Sequence, residues 1–319
     1  MRTPTPCVLP TEPMSRTMLV ASGVSRQMIA TQVSSGRLVQ IRRGVFVAAA
    51  AMPTTDAGLH LLRARAEQVV HPSAVLSHET AALVWGLPTP GFAEWAEATP
   101  AVTLPSGDGA KSRRGPVVHH IGTLPAGQVT RDHDGYALTT VARTAVDLAA
   151  GLALPQSLVL LDGAARIVVE QLVEKPRPRD YANPRLVRAA VDLLSDAATT
   201  HRLVALPAHI SLADPCRESA AESLSAGHFM VAGLPTPLYQ HPIRTRTGTY
   251  FPDFYWPEYQ LIGECDGALK YTDPRDLVKE KIREDSLREL GNRFVRWMGG
   301  EIMGRPASVV ERVSRGLGL

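Results

Sequence analysis

The chain has 319 residues, of which 45% are hydrophobic and 20% are charged, which is enough for two or three globular domains. The formal net charge is only +3, although the pI is near 8.8, so a polyanionic partner would have to meet local basic patches. Three cysteines without a CxxC pair argue against a disulfide framework and a structural zinc site. The lack of a signal peptide and of a membrane-length apolar run predicts a soluble, cytoplasmic protein.

The segment from residue 17 to residue 50 has the outline of a helix-turn-helix followed by a small wing. Gly23 can end a first short helix, and Ser25 can cap a second helix that Gly36 stops. The stretch LVQIRRGVFV then alternates into two strands joined by a tight turn. The pattern predicts a winged helix-turn-helix domain within residues 1–55.

The first fifty residues contain several arginines but only one carboxylate, that of Glu12. The residues that we assign to DNA binding are Arg26, Arg37, Arg42 and Arg43. We expect the second helix to enter the major groove of duplex DNA and the wing arginines to meet phosphates. An ordinary solvated surface is the alternative for these arginines.

The middle of the chain mixes helical and strand patterns and carries no catalytic motif. Residues 56–172 are predicted to form a small α+β domain, and residues 173–210 a helical linker. Four histidines share no metal-ligand spacing and are expected to be structural or exposed. They are His119, His120, His228 and His241.

The stretch FPDFYWPEYQLIGECDGALKY, residues 251–271, carries the chemistry of the C-terminal third. With the preceding LYQHPIRTRTG it predicts three strands in a β-meander, whose turns bring Asp253 and Glu264 to one end of the sheet. Two carboxylates on rigid strands suit Mg²⁺ or Mn²⁺, and the carbonyl of Cys265 is a candidate third ligand. Strand-end surface carboxylates are the alternative for both acids. We expect the Cys265 side chain and the rings of Trp256 and Trp297 to be packing groups.

Flanking helices complete an α-β-β-β-α-β order. The helix before the meander supplies Glu222, with Glu218 as a rival one turn earlier. The helix RDLVKEKIREDSLREL after it carries one face composed of Val278, Ile282, Ser286 and Leu290, and the strand RFVRW follows. This order resembles the PD-(D/E)xK nuclease core, which predicts a restriction-endonuclease-like domain over residues 211–319. The overall fold class is therefore α+β, with several domains.

Two closer resemblances cover most of the chain. AESLSAGHFMVAGLPTP, PDFYWPEYQLIGECDGALKY and KEKIREDSLRELGNRFVRW resemble the DUF559 family, relatives of very-short-patch repair endonucleases. SRQMIATQVSSGRLVQIRRGVFV, SHETAALVWGLP and VARTAVDLA resemble AbiEi-type antitoxin proteins. The first resemblance implies metal binding by Asp253 and Glu264, and a supporting role for Glu222. It also places Asp266 where the motif has its lysine. Lys270, or else Lys281, is therefore the candidate cation, and Asp266 itself or a second metal is the remaining alternative.

These observations support two functions. The first is a Mg²⁺-dependent endonuclease, a hydrolase of phosphodiester bonds that holds double-stranded DNA with its winged helix. The second is a DNA-binding transcriptional regulator, or antitoxin-like protein, whose nuclease-like domain is inactive. Duplex DNA is a partner in both cases, and a toxin or a defence-system protein is a further expected partner.

Overall fold

The structure is a computed structural model that describes residues 8–107, 111–201, 204–267 and 274–319. The chain divides into two units, the first made of the residues up to Gly86 with Ala93–Thr144, and the second of Leu87–Phe92 with Ala145–Leu319. Helices and strands occur in both, in agreement with the predicted α+β class and with more than one domain. The finer domain boundaries stay predictions. None of the helices within the described ranges combines the length and apolar character that a bilayer crossing requires.

The first unit alternates short helices and short strands. Its elements are β1 (Met14–Ser15), α1 (Arg16–Ala21), α2 (Arg26–Ser34), β2 (Leu38–Arg42), β3 (Val45–Ala48), α3 (Asp56–Val70), β4 (Val75–Leu76), α4 (His78–Trp85), β5 (Ala101–Pro105), β6 (Val118–Gly122), β7 (Val129–Arg131) and β8 (Ala137–Thr139). Helix α5 (Val141–Ala149) then crosses the boundary between the units.

Local signals define α1 and α2. The side chain of Ser15 caps α1 by accepting the N–H of Met18 at 3.1 Å, and Ser25 caps α2 by accepting the N–H of Met28 at 3.2 Å. Gly23 follows α1 with a φ of 93° and Gly36 follows α2 with a φ of 72°, conformations that favour glycine. The predicted pair of helices is therefore present with the expected ends.

One strand before these helices and two strands after them form a three-stranded sheet, in the order β1-β3-β2. Strands β2 and β3 form an antiparallel hairpin whose register shifts between Gln40 and Arg42. The sheet and the two helices share one apolar core, and α3 packs against all three strands. The core residues are Leu19, Val24, Ile29, Leu38 and Phe46.

A second sheet of five strands occupies the rest of the first unit, in the order β6-β5-β4-β8-β7. Its central strand β4 pairs with β5 in the antiparallel sense and with β8 in the parallel sense. Helix α3 contacts β4 and β5 as well as the first sheet, so this helix joins the two sheets. Ala64 of α3 packs with Leu76, Val102 and Leu138 of the second sheet.

The second unit begins with helices, continues with short strands and ends with two helices. Its elements after α5 are α6 (Leu154–Leu172), α7 (Pro178–Tyr181), α8 (Pro184–Ala198), α9 (Leu206–Ile210), α10 (Ala220–Val231), β9 (Ile243–Arg244), β10 (Thr249–Tyr250), β11 (Phe254–Trp256), β12 (Leu261–Asp266), α11 (Pro274–Arg288), β13 (Arg293–Met298), α12 (Gly299–Gly304) and α13 (Pro306–Leu317).

The helices of this unit pack closely. Gly227 of α10 lies so near α6 that an added Cβ would stand 2.4 Å from the Cα of Pro155. The segment predicted as a linker holds α7, α8 and α9, and α8 packs against α6, with Ala190 and Leu194 fully buried. This segment therefore contributes to the core of the unit.

A three-stranded sheet with the order β11-β12-β13 carries the candidate carboxylate site. Strands β11 and β12 are antiparallel, whereas β12 and β13 are parallel and are connected through α11. Phe229 of α10 packs against Phe254, Trp256 and Trp297 of this sheet, and both tryptophans are only 1% exposed. The prediction that these tryptophans are packing residues is confirmed.

The predicted meander is present with one interruption. Leu238 pairs with Tyr255, and β9 pairs with β10 on the same antiparallel register. Between these pairs Gln240 has a φ of 47°, and its N–H donates to the Pro252 carbonyl at 3.0 Å. The first predicted strand is therefore divided by a backbone kink.

The apolar face predicted for α11 is wrong in part. Ile282 and Leu290 are each 48% exposed, whereas Leu287 is completely buried beside Ser286. Leu287 packs on Ile243 and Ile262, so contact with the strands rotates the helix away from the predicted face. The side chain of Val278 lies outside the described residues.

Candidate functional site

An exposed basic surface lies on the helix pair and hairpin of the first unit. Arg26 opens α2, Arg37 follows its last turn, and Arg43 lies in the turn between β2 and β3. All three side chains are exposed. The carboxylate of Glu12 accepts a hydrogen bond from the hydroxyl of Tyr136 at 3.0 Å, so this acid is already engaged.

Helix α2 presents a polar outer face. Ile29 and Gln32 are buried, whereas Gln27 and Thr31 are exposed. Thr31 donates its hydroxyl to the Gln27 carbonyl at 3.0 Å, one turn earlier in the same helix. Helix α2 contains no acid, and its exposed polar side chains are of the kind that can approach base edges in a groove.

Arg42 occupies a different environment from the other predicted DNA-binding residues. Its guanidinium forms an ion pair with Glu67 of α3, whose side chain is 6% exposed. Arg42 itself is only 23% exposed. Glu67 lies 25 residues after Arg42 in the chain and holds the Arg42 side chain against α3. The spacing of the two residues in the sequence did not predict this contact.

In the second unit, the sheet register brings the two predicted metal ligands together. The last pair between β11 and β12 on this side is Phe254 with Gly263, so Asp253 and Glu264 come next on adjacent strands. The carboxylate of Asp253 accepts the N–H of Cys265 at 2.9 Å and a side-chain N–H of Gln240 at 3.2 Å. The predicted approach of Asp253 and Glu264 to one end of the sheet is therefore present.

Glu222 stands at the first turn of α10 and is 7% exposed. It accepts the N–H of Glu218 at 2.9 Å and the hydroxyl of Ser219 at 2.8 Å. Burial and then the negative charge of Asp253 raise the pKa of the Glu222 carboxyl to about 7. Its rival Glu218 turns to the surface, where it pairs with Arg166 at 3.2 Å.

Two arginines, rather than the predicted lysines, lie beside these acids. Arg283 of α11 donates to Glu264 at 2.7 Å. Arg296 of β13 faces Glu264 in the parallel ladder, and its guanidinium lies 3.8 Å from the Asp266 carboxylate. Lys281 is exposed, and Lys270 lies outside the described residues. A strand pairing of RFVRW with LIGECD is the sequence signal that would have identified Arg296.

Cys265 lies in the middle of this cluster, but its side chain is inert. The thiol is buried, and burial followed by the nearby charge of Glu222 raises its pKa to about 12. The thiol therefore stays protonated at neutral pH, in agreement with the predicted packing role. Of the groups of Cys265, only the backbone carbonyl is therefore a candidate metal ligand.

Comparison with known proteins places a regulator domain at the N-terminus. Residues 8–83 match the family model described as "Transcriptional regulator, AbiEi antitoxin N-terminal domain". This matched segment contains the helix pair, the hairpin, α3, β4 and most of α4. It therefore includes all four of the predicted DNA-binding arginines and the acid that engages Arg42.

Two uncharacterized proteins of Mycobacterium tuberculosis, from strains CDC 1551 and H37Rv, are each 29% identical to this chain over 302 residues. The aligned residues cover 92% of this chain and 97% of each relative. The similarity to these relatives thus extends well beyond residues 8–83 and into the second unit.

Sequence reasoning missed one group of side chains that could bind a metal ion. His119, expected to be merely structural or exposed, lies 3.0 Å from Glu67 and packs edge-on against His71. Glu67 lies on α3, His71 directly follows that helix, and His119 lies on β6, 52 positions after Glu67, so no short motif connects the three residues. Only the folded chain brings them together.

Proposed function

We propose that this protein is a DNA-binding transcriptional regulator of the antitoxin type. The observation that carries the proposal is the match of residues 8–83 to the AbiEi antitoxin N-terminal domain, on a segment whose exposed surface is basic. Arg26, Arg37 and Arg43 project from α2 and the hairpin, where they have no acidic neighbours in sequence. This charge distribution favours the phosphate backbone of duplex DNA.

The helix pair and hairpin act as a winged helix-turn-helix in this proposal. Helix α2 lies in the major groove, with the exposed Gln27 near its N-terminus facing base edges. The three exposed arginines fix the orientation of the domain by binding phosphates, whereas Arg42 stays with Glu67. The family description also implies a toxin as the cognate protein partner.

Fluorescence anisotropy with labelled duplex DNA from upstream of the protein's own gene tests this function. We expect the full chain to bind and the logarithm of its affinity to fall steeply with the logarithm of salt concentration. Changing Arg26→Ala and Arg37→Ala together should reduce the slope by about 2 if each side chain meets one phosphate. The matched control is Arg188→Ala, an exposed arginine on α8, which should leave the slope unchanged. No binding, or a slope insensitive to the double change, would refute the proposal.

A metal-dependent endonuclease remains the second candidate function, and one specific observation favours it. Asp253 and Glu264 lie next to each other at the end of β11 and β12, and the charge of Asp253 already disfavours ionisation of the buried Glu222. Asp253, Glu264 and Glu222 are neighbouring acids, and the negative charges of Asp253 and Glu222 repel each other. A hard cation would offset this repulsion. Among the described residues, however, the three acids do not form a group whose ligand atoms all lie within 4.8 Å of one another.

The residues present fit a Mg²⁺ or Mn²⁺ ion if Arg283 releases Glu264. Asp253 and Glu264 would hold the ion with the Cys265 carbonyl, and the ion would activate water and neutralise charge on a phosphodiester. Arg283 and Arg296 would orient the phosphate, because guanidinium groups match phosphate oxygens in a bidentate manner. Glu222, with its raised pKa, would be able to exchange a proton near neutral pH.

Incubation of supercoiled plasmid with the full chain and Mg²⁺ or Mn²⁺, with and without a chelator, tests the second candidate. Cleavage that is lost both in chelator and in Asp253→Asn would support an endonuclease. The matched control Asp214→Asn, an acid of the same unit outside the cluster, should keep the activity. Absence of metal-dependent cleavage in a chain that binds DNA would leave the regulator as the function.

A further inference from the structure

Three side chains of types that can bind a metal ion meet in the first unit, at the C-terminal end of α3. The ligand atoms of Glu67, His71 and His119 all lie within 4.8 Å of one another, the only such group in the described ranges. Glu67 is 4% exposed and His119 is 5% exposed. His71 is half-buried and opens the cluster toward solvent.

Two of the three side chains lie on regular elements, and the third directly follows one. Glu67 lies in the last turn of α3, and His71 is the residue after the helix, where its backbone N–H donates to the Glu67 carbonyl at 2.8 Å. His119 belongs to β6, and its backbone exchanges two hydrogen bonds with Arg113, at 2.8 and 3.1 Å. The backbone of α3 and β6 therefore sets the positions of Glu67 and His119, and a backbone hydrogen bond ties His71 to the end of α3.

The chemistry of these ligands selects the class of metal. Two imidazoles and one carboxylate suit Zn²⁺ and related transition metals, whereas Mg²⁺ and Ca²⁺ prefer oxygen ligands alone. Ligands about 2.0–2.1 Å from a tetrahedral zinc ion lie roughly 3.3 Å apart. The separation of His119 Nε2 from Glu67 Oε2 is 3.0 Å, so a small shift is enough. The His71 ring packs edge-on against His119 and makes no side-chain hydrogen bond to any described residue, so its nitrogens are available to a metal.

We propose that Glu67, His71 and His119 form a site for a divalent transition metal of the zinc class, with water as the fourth ligand, and that the metal displaces Arg42 from Glu67. Arg42 and His119 both contact the same oxygen, Oε2, of Glu67. A dication on this carboxylate repels the guanidinium of Arg42 and takes its acceptor.

Release of Arg42 connects the metal to the hairpin. Arg42 is the last residue of β2, next to the exposed turn that holds Arg43. A released Arg42 side chain adds a positive charge to the basic surface and strengthens the hold on DNA phosphates. This effect on DNA rests on the regulator function proposed above, whereas the metal site itself does not.

Calorimetric titration of the untagged full chain with Zn²⁺, and visible absorption with Co²⁺, test the site. We expect one ion per chain and the d–d bands of a tetrahedral Co²⁺ complex. His71→Asn should weaken binding by at least about 100-fold, more than the loss of a group outside the ligand set. The matched control His133→Asn changes a histidine whose side chain is 85% exposed, and should leave the affinity unchanged. Lack of binding, or one-to-one binding that survives His71→Asn, overturns the site.

Arg42→Gln separates competition from simple coordination. Removal of the competing ion pair should tighten Zn²⁺ binding by about fivefold, the factor expected for losing a partly exposed ion pair. In the parent, addition of Zn²⁺ should increase the slope of log affinity for DNA against log salt concentration by about 1, the change expected for one more phosphate contact. In Arg42→Gln, the slope should be the same with and without Zn²⁺. Equal slopes with and without Zn²⁺ in a DNA-binding parent would overturn the displacement of Arg42. If the parent binds no DNA, the regulator function fails while the zinc titration still decides the site.

Discussion

Glu222 is the residue whose ionisation the structure alters most clearly among the clustered acids. Its pKa of about 7 lies above the ordinary value of 4.5, because the carboxyl is buried and faces Asp253. The unfolded chain releases this proton at lower pH, so the folded state is penalised as pH rises from about 4.5 to about 7. The penalty, of order 3 kcal/mol, then persists at higher pH.

Carboxyl ¹³C NMR of protein labelled at glutamate checks this prediction. One resonance should titrate with a midpoint near 7 and be missing in Glu222→Gln, but present in the control Glu218→Gln. Asp253→Asn should lower the midpoint, since the amide oxygen can still accept the Cys265 N–H while the repelling charge is gone. A midpoint that does not move in Asp253→Asn would contradict the assigned cause.

At the scale of single elements, local chemistry was predictable and long-range partners were not. Ser25 and Gly36 defined α2 from sequence alone, because caps and left-handed glycines act within a few residues. The kink at Gln240 and the rotated face of α11 depend on which strands those segments meet. The acids Asp253 and Glu264 were predictable from strand pairing, whereas Arg283 and Arg296 required the course of α11 and β13.

The close approach of α10 to α6 gives a prediction on stability. Gly227→Ala places a Cβ 2.4 Å from the backbone of Pro155, so the helix that carries Glu222 must shift, at a cost of about 1–3 kcal/mol. Gly300→Ala in α12 is the matched control, because an added Cβ there meets nothing within 4 Å. That change should be neutral or slightly stabilising. Urea unfolding followed by far-UV circular dichroism measures both, and equal midpoints would contradict the packing argument.

The hairpin of β2 and β3 gives a prediction that distinguishes its two arginines. Arg43 is exposed in the turn, whereas Arg42 is held by Glu67. In chelator, Arg43→Ala should therefore reduce the salt slope of DNA binding by about 1, and Arg42→Ala should change it little. Anisotropy titrations at several salt concentrations measure the slopes. Equal reductions in both variants would mean that Arg42 leaves Glu67 without any metal.

At the scale of the whole molecule, residues 8–83, which match the antitoxin family model, are only part of a larger folding unit. Residues 8–83 include β4, but its partners β5 and β8 lie at Ala101–Pro105 and Ala137–Thr139. A fragment that stops at residue 83 leaves both edges of β4 unpaired and exposes the apolar side of α3. We expect such a fragment to be largely unfolded.

We expect residues 8–144 to fold and to bind duplex DNA with the salt slope of the full chain, because every strand of both sheets is then present. Circular dichroism and anisotropy compare the two fragments. A stably folded, DNA-binding fragment of residues 8–83, or one ending near residue 52, would show that α3 and the five-stranded sheet are dispensable for the basic surface.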